Sequence, residues 1–402
     1  MIPERIAPLT LLLCVLAGCD DAREPIEQQE AGSAAEAGAP DAATASGPKF
    51  PDPDWQVSTP EREGLRQQGV DKALDYAFQT SKHTQGVVVV RHRAIVAERY
   101  EPGRDADSFA ASWSMAKSVT SALVGIAIDR GLIPDVDVKM SEYYPEWAGT
   151  PKADIRLRDV LQMASGLKWK EEYRPDDAST SDIVQMVFAP DELGFASGRE
   201  FQTAPGTVFN YSSGDTMLVS GVLARATGMS ALEFGKRELF DKIGMAPVDW
   251  WRDANGKTLT YCCVDAPSRQ FAKFGLLFLE RGSWNGQRII SQDWIEDSIS
   301  PSSSFAGYGY FWWLIGRTNS ALPADTYAAR GVDGQHIYVV PSLDLVVVRS
   351  GHYDKHEGDT LADPNLFGVY PSFGLVMGKG TVPPDSWNDT EFLGPIVEAV
   401  AD

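Results

Sequence analysis

Residues 108–129 read SFAASWSMAKSVTSALVGIAID, and the rest of the chain is organised around them. After a polar and aromatic start, Met115, Ala116, Val119, Leu123, Val124, Ile126, Ala127 and Ile128 make an apolar load dense enough for a helix buried on most sides. Ser114 and Lys117 stand three apart at its start, which on a helix puts hydroxyl and amine on one face, about a turn apart. An amine so placed can take the proton that a serine nucleophile must lose. The helix start also offers free N–H donors and a dipole that favours negative charge, which suits an oxyanion. The competing reading is an N-terminal serine and a surface lysine on an ordinary core helix.

Ser-x-x-Lys spacing recurs at Ser46-Lys49 and Ser165-Lys168. Ser46 lies in a Pro/Gly/Ala-rich stretch and Ser165 precedes Gly166 in an apparent loop, so neither is expected to hold a nucleophile rigidly. Ser114 is therefore the candidate.

Toward the amino terminus, MIPERIAPLTLLLCVLAGC has an apolar run from Ile6 to Leu16 that is too short for a stable transmembrane helix, and it reads as a secretion signal over residues 1–18. Leu16-Ala17-Gly18-Cys19 resembles the bacterial lipobox, which implies a lipid on Cys19, a membrane anchor and a place in the cell envelope facing the periplasm. Residues 19–50, rich in Ala, Glu, Asp, Gly and Pro, cannot bury enough surface to offset their ordering entropy and should form a flexible acidic tether. Residues 55–401 remain for one globular domain. A formal charge of −20 and a pI near 4.7 argue against nucleic acid as a partner, because the phosphate contribution would be repulsive. The domain keeps only the adjacent cysteines Cys262 and Cys263, expected as core or half-buried thiols because neighbours can close only a strained ring. No zinc spacing is present.

Within the domain, residues 61–80 read as a helix and Gly86-VVVVRHRAIVAERY as a hairpin turning at Arg91-His92-Arg93. Helical patterns follow at 155–163, 215–226, 230–242, 267–280 and 291–299. The last third changes period: Tyr308-GYFWWLIG, Gln335-HIYVVP and Leu343-DLVVVR are strand-like, and a helix over 389–400 closes the chain. The order of strands, helices, strands and helix predicts an α+β fold, its antiparallel sheet built from both chain ends and flanked by helices, with a mostly helical subdomain.

Three motifs then stand in order: Ser114-x-x-Lys117; Ala204-Pro-Gly-Thr-Val-Phe-Asn-Tyr211-Ser212-Ser213; and Ala329-Arg330-Gly331-Val332-Asp333-Gly334-Gln335 leading into a strand. Together with Ala266-PSRQFAKFGLLFLERGSWNGQRIIS they resemble the serine β-lactamase and DD-peptidase superfamily, on the branch of class C β-lactamases, family VIII carboxylesterases and 6-aminohexanoate-dimer hydrolases. The resemblance implies a β-lactamase/transpeptidase-like fold, Ser114 as acylated nucleophile, Lys117 as proton acceptor or relay, and Tyr211 as the second proton-handling group. Lysine and tyrosine ordinarily titrate near 10, so neither is a base at neutral pH unless shifted; placed together, each can bias the other, ammonium favouring phenolate. It implies further that the backbone N–H groups of Ser114 and Val332 hold the oxyanion, with Gly331 letting backbone come close to substrate. Ser213 takes the place of the family's Asn, and Ala329 that of its usual Lys or His, which weakens the case for a β-lactam or peptide carboxylate as substrate. Tyr173 and Asp182 are placed like the loop tyrosine and aspartate that hold amide and ammonium in 6-aminohexanoate-dimer hydrolases.

An α/β-hydrolase would need a Gly-x-Ser-x-Gly elbow, which the chain lacks. His352 and His356 could join Asp354 and Asp359 around a metal, but a solvated loop is the plainer reading. A lipid-tethered, non-catalytic binding protein is the rival from another class. The reading carried forward is a lipid-anchored serine hydrolase that cleaves a small ester or amide through an acyl-enzyme, without metal or organic cofactor; β-lactamase or DD-peptidase action is the alternative, and the oligomeric state is left open.

Overall fold

The computed structural model describes residues 49–51, 54–173, 178–351 and 387–400. The strands are β1 (Gln56–Val57), β2 (Thr84–Arg91), β3 (Ala94–Tyr100), β4 (Phe109–Ala111), β5 (Asp249–Trp250), β6 (Val264–Pro267), β7 (Ser283–Trp284), β8 (Gln287–Arg288), β9 (Tyr327–Gly331), β10 (Gln335–Val340) and β11 (Leu345–Gly351). The main sheet has the order β1-β3-β2-β11-β10-β9, antiparallel apart from the β1–β3 edge. Its strands come from both chain ends, as the element order predicts. The β2–β3 turn falls on His92 (φ 49°) and Arg93 (φ 65°), the left-handed pair that matches the twist of a tight hairpin.

Both faces of the sheet are covered, which is why β2 and β11 read as unbroken apolar runs rather than alternating ones. Val88, Val90, Ile337, Val339, Val346 and Val348 join the larger core, whereas Val87, Val89, Tyr338, Val340, Leu345 and Val347 join the smaller. The helices are α1 (Gln67–Ala77), α2 (Met115–Asp129), α3 (Leu157–Leu161), α4 (Asp182–Val187), α5 (Glu192–Ser197), α6 (Ser213–Thr227), α7 (Ala231–Gly235), α8 (Ser268–Leu279), α9 (Gln292–Ser298), α10 (Ile315–Thr318) and α11 (Asp389–Glu398). α1 and α11 supply the smaller core; α2, α6 and α8 the larger. α2 is buried from Met115 to Ala127, and at Gly125 a β-carbon would meet the Trp294 ring at 2.3 Å, so only glycine admits that contact.

Two expectations need correction. Residues 308–316 form no strand: Tyr308 and Trp313 make only isolated bridges, to each other and from Trp313 to Ala328, Phe311 is left-handed (φ 61°), and α10 begins at Ile315. Their rings pack on several sides, with Trp312 stacked on Phe274 and Trp313 against Tyr308, so the apolar run reflects enclosure rather than strand pleat. Second, Cys262 and Cys263 are joined as a disulfide rather than free thiols. The loop bends back on itself there, with Cys263 in the left-handed region (φ 75°), and this fold brings the adjacent sulfurs together. Cys19, the signal, nearly all of the tether and the 352–359 His/Asp cluster lie outside the described residues.

Candidate active site

Ser114 occupies the cap position of α2, where a serine hydroxyl ordinarily accepts from the first-turn amides. Here it makes no capping bond, and its Oγ instead accepts from Lys117 Nζ at 2.8 Å. The preceding residue, Trp113, is held at φ 44°, a left-handed conformation that sharpens the turn from β4 into the helix.

Lys117 is buried, and its amine also donates to Ser213 Oγ (3.1 Å) and to the Tyr261 carbonyl (2.9 Å). Three acceptors match the three hydrogens of an ammonium. Burial nevertheless dominates, pushing Lys117 down to about 8 against the opposing pull of the Glu171 charge. It is thus a usable base near neutral pH.

The Ser114 hydroxyl acts on both Tyr211 and Tyr173, lowering each phenol against the stronger effect of burial. Tyr211 leans on Trp313, with ring centroids 5.5 Å apart, and the Lys117 amine lies 5.0 Å from its ring centre. The expected ammonium–phenolate pair does not form. Burial, and after it the Glu171 charge, raises both phenols, so each stays protonated and can donate.

Glu171 was not singled out in the sequence. Its Oε1 accepts from Tyr173 (2.7 Å) and Ser213 Oγ (2.6 Å), its Oε2 from the Ser213 N–H (2.9 Å) and from Trp169 Nε1. A serine and a carboxylate thus stand beside Lys117 where the family's middle motif would place an asparagine amide. The signal was weak: a glutamate in a polar loop resembles any solvated residue.

The third motif meets the nucleophile directly. At Gly331 a β-carbon would lie 2.4 Å from the Ser112 carbonyl and 3.1 Å from the Ser114 nitrogen, so β9 approaches the turn only because that residue is glycine. Val332 lines the cleft with Trp113, Ser114, Tyr173, Ile183, Ser213, Tyr261 and Cys262. The cleft is narrow, about 20 Å³. Arg330 turns to His336 and Asp389 beside α11, so it does not replace the cation absent at Ala329.

Asp182 does not face the cleft. Its carboxylate accepts from the Lys170 N–H at 2.7 Å and pairs with Arg199 at 2.6 Å, so the role proposed for it in holding a substrate ammonium is already taken by an arginine. Ser165 is better held than expected, buried and bonded to Asp215 at 2.7 Å, but Lys168 reaches out to Glu200 instead. No set of three or more His, Cys, Asp or Glu side chains among the described residues could hold a metal ion.

The profile of the Beta-lactamase family matches residues 68–365, most of the chain. This chain belongs to the beta-lactamase family. Among curated relatives, the 6-aminohexanoate-dimer hydrolase of Paenarthrobacter ureafaciens is 26% identical over 292 residues, covering 66% of this chain and 72% of that protein. Among solved structures, a Bacillus anthracis protein provisionally named a 6-aminohexanoate-dimer hydrolase superposes with a TM-score of 0.63 at 20% identity, over 76% of this chain and 84% of that one. A family VIII carboxylesterase superposes with a TM-score of 0.56 at 16% identity, over 78% and 97%. Within the beta-lactamase family the chain is thus a serine hydrolase of the superfamily, similar to those two branches.

Proposed function

We propose that this protein hydrolyses a small neutral ester or amide through an acyl intermediate on Ser114. The observation that carries the reading is the 2.8 Å contact between Ser114 Oγ and a buried Lys117 amine lowered to about 8. Neutral Lys117 takes the hydroxyl proton as Oγ attacks the carbonyl carbon. The backbone N–H groups of Ser114 and Val332 receive the charge that develops on the carbonyl oxygen. Tyr211, a phenol whose ring centre lies 5.0 Å from the Lys117 amine, hands a proton to the leaving group and recovers it through Lys117. Water repeats the sequence on the acyl-enzyme. A neutral substrate is favoured because Ala329 brings no cation for a carboxylate and Asp182 is paired with Arg199. The lipobox-like Leu16-Ala17-Gly18-Cys19 supports attachment to a bacterial envelope membrane, facing the periplasm.

Turnover of p-nitrophenyl butyrate by the purified full chain, set beside its Ser114→Ala variant and nitrocefin, tests the chemistry. Ester turnover that vanishes in the variant supports the proposal; comparable nitrocefin turnover would move the protein to β-lactamase action. A variant as active as its parent would remove the nucleophile. For the anchor, Cys19→Ser should lose incorporated fatty acid and leave the membrane fraction, and unchanged fractionation would refute it.

A further inference from the structure

Cys262 is both a wall of the cleft and half of the Cys262–Cys263 disulfide. The pair sits between the two halves of the catalytic machinery. On one side, the carbonyl of Tyr261, the residue just before it, accepts from Lys117 Nζ at 2.9 Å. On the other, the N–H of Cys263 donates at 3.3 Å to the carbonyl of Trp113, the residue just before Ser114. The surroundings hold the pair in place. Trp250 Nε1 donates to the Cys262 carbonyl at 2.8 Å, the Trp251 N–H to the Cys263 carbonyl at 3.1 Å, and the Tyr261 hydroxyl to Glu192 at 2.8 Å. Both sulfurs are buried, and Cys263 keeps φ at 75°, where a residue with a side chain is uncommon.

A bond between neighbouring cysteines closes a small ring through the peptide that joins them, and a peptide is itself planar. The ring restricts ψ of Cys262 and φ of Cys263, and so fixes the Cys263 N–H relative to the Cys262 backbone from which the Tyr261 peptide hangs. Two thiols would leave that segment held by those hydrogen bonds alone, with the torsions on either side of the Cys262–Cys263 peptide no longer fixed. Building on the hydrolase reading above, we propose that the Cys262–Cys263 disulfide is a positioning element of the Ser114–Lys117 pair. Closed, the ring braces the turn that presents the serine through the Cys263 N–H and anchors the residue next to the carbonyl that meets the lysine amine. Opened, it releases both, and acylation slows. Opening requires a dithiol, which gives two electrons and two protons: the S–S bond breaks, two thiols form, and the dithiol becomes a cyclic disulfide.

The test uses the purified full chain, before and after dithiothreitol, with alkylation of Cys262 and Cys263 read by mass on the peptide that carries them. Ser114 reactivity is read as the rate of fluorophosphonate labelling, which needs no knowledge of the substrate, alongside kcat and KM on p-nitrophenyl butyrate. Reduction should lower labelling and kcat by about tenfold or more with KM within about twofold, as expected when a catalytic group is misplaced rather than a binding surface lost. Diamide should restore both. The Cys262→Ala/Cys263→Gly variant, whose glycine accepts the left-handed backbone, should stand at the reduced level and ignore dithiothreitol. Free thiols at Cys262 and Cys263 in the untreated chain, a reduced enzyme that labels as fast as the oxidised one, or a rise in KM with kcat unchanged would each overturn the proposal. A chain with its disulfide intact that neither labels nor turns over ester would instead strike the hydrolase reading, and this inference with it.

Discussion

Glu171 grips Ser213 twice, accepting the backbone N–H at 2.9 Å and the hydroxyl at 2.6 Å, while that hydroxyl accepts from Lys117 at 3.1 Å. The carboxylate thus orients a side chain that in turn orients the base. Its charge also opposes the effect of burial on Lys117. Glu171→Gln should therefore move the ascending limb of the kcat/KM profile to lower pH, because the ammonium loses a favourable charge, while kcat falls about tenfold as Ser213 is released. A pH–rate series on parent and variant decides this. A limb that stays in place or moves upward would show that Glu171 does not act on the base.

In the parent, the reactive form needs neutral Lys117, so kcat/KM should climb with pH and level off above about 8. Lys117→Ala should remove that limb and lower kcat/KM by about 10²–10⁴-fold. A profile set by a group near 6 would point away from lysine.

Lys117 should also cost stability. Its folded value, about 8, lies below the ordinary 10.5, so the unfolded chain binds more protons between those limits and stability rises with pH across that window. Below about 8 the penalty is fully present. Lys117→Met should raise the melting temperature at pH 7, by roughly 1–3 kcal/mol of stability, with the gain shrinking toward pH 10.5. Thermal melts at both pH values check the sign; a Met variant that melts lower at pH 7 contradicts it.

Gly331→Ala places a methyl 2.4 Å from the Ser112 carbonyl. The turn must shift, so the variant should lose activity and about 1–3 kcal/mol of stability. Urea melts and ester turnover measured together would show this; a fully active variant would mean that β9 yields without moving Ser114.

Because Asp182 is paired with Arg199, Asp182→Asn should weaken turnover of amine-bearing and amine-free amides by the same factor. A selective rise in KM for the amine-bearing substrate would restore Asp182 as a substrate contact.

Much of this was legible in the residues. The 108–129 run announced α2 because its apolar density has no other use, and the valine runs of β2 and β11 announced a sheet covered on both faces. Ser114 and Lys117 meet as their spacing suggested, and Tyr211 and Gly331 lie beside them as the family resemblance implied. What escaped depends on encounters that no local pattern records. Glu171 matters only through the donors that converge on it, Asp182 is excluded only because Arg199 arrives from a distant loop, and the cysteines join only because the chain turns left-handed at Cys263. Residues 308–316 misled for a related reason, since enclosure by rings and burial in a sheet leave the same apolar signature.

The sheet has one more consequence, for the order of events during synthesis. β2 pairs with β3 beside it in the chain and with β11 near the far end, and the Arg66 N–H closes on the Ala399 carbonyl at 2.8 Å. While the chain is emerging, the β2–β3 hairpin has a bare flank, and α1 has no α11 to lie against. Such long-range closure is slow and leaves strand edges exposed. The domain can therefore be completed only after its last helix has left the ribosome. A polypeptide that ripens so late stays threadable for as long as it is being made.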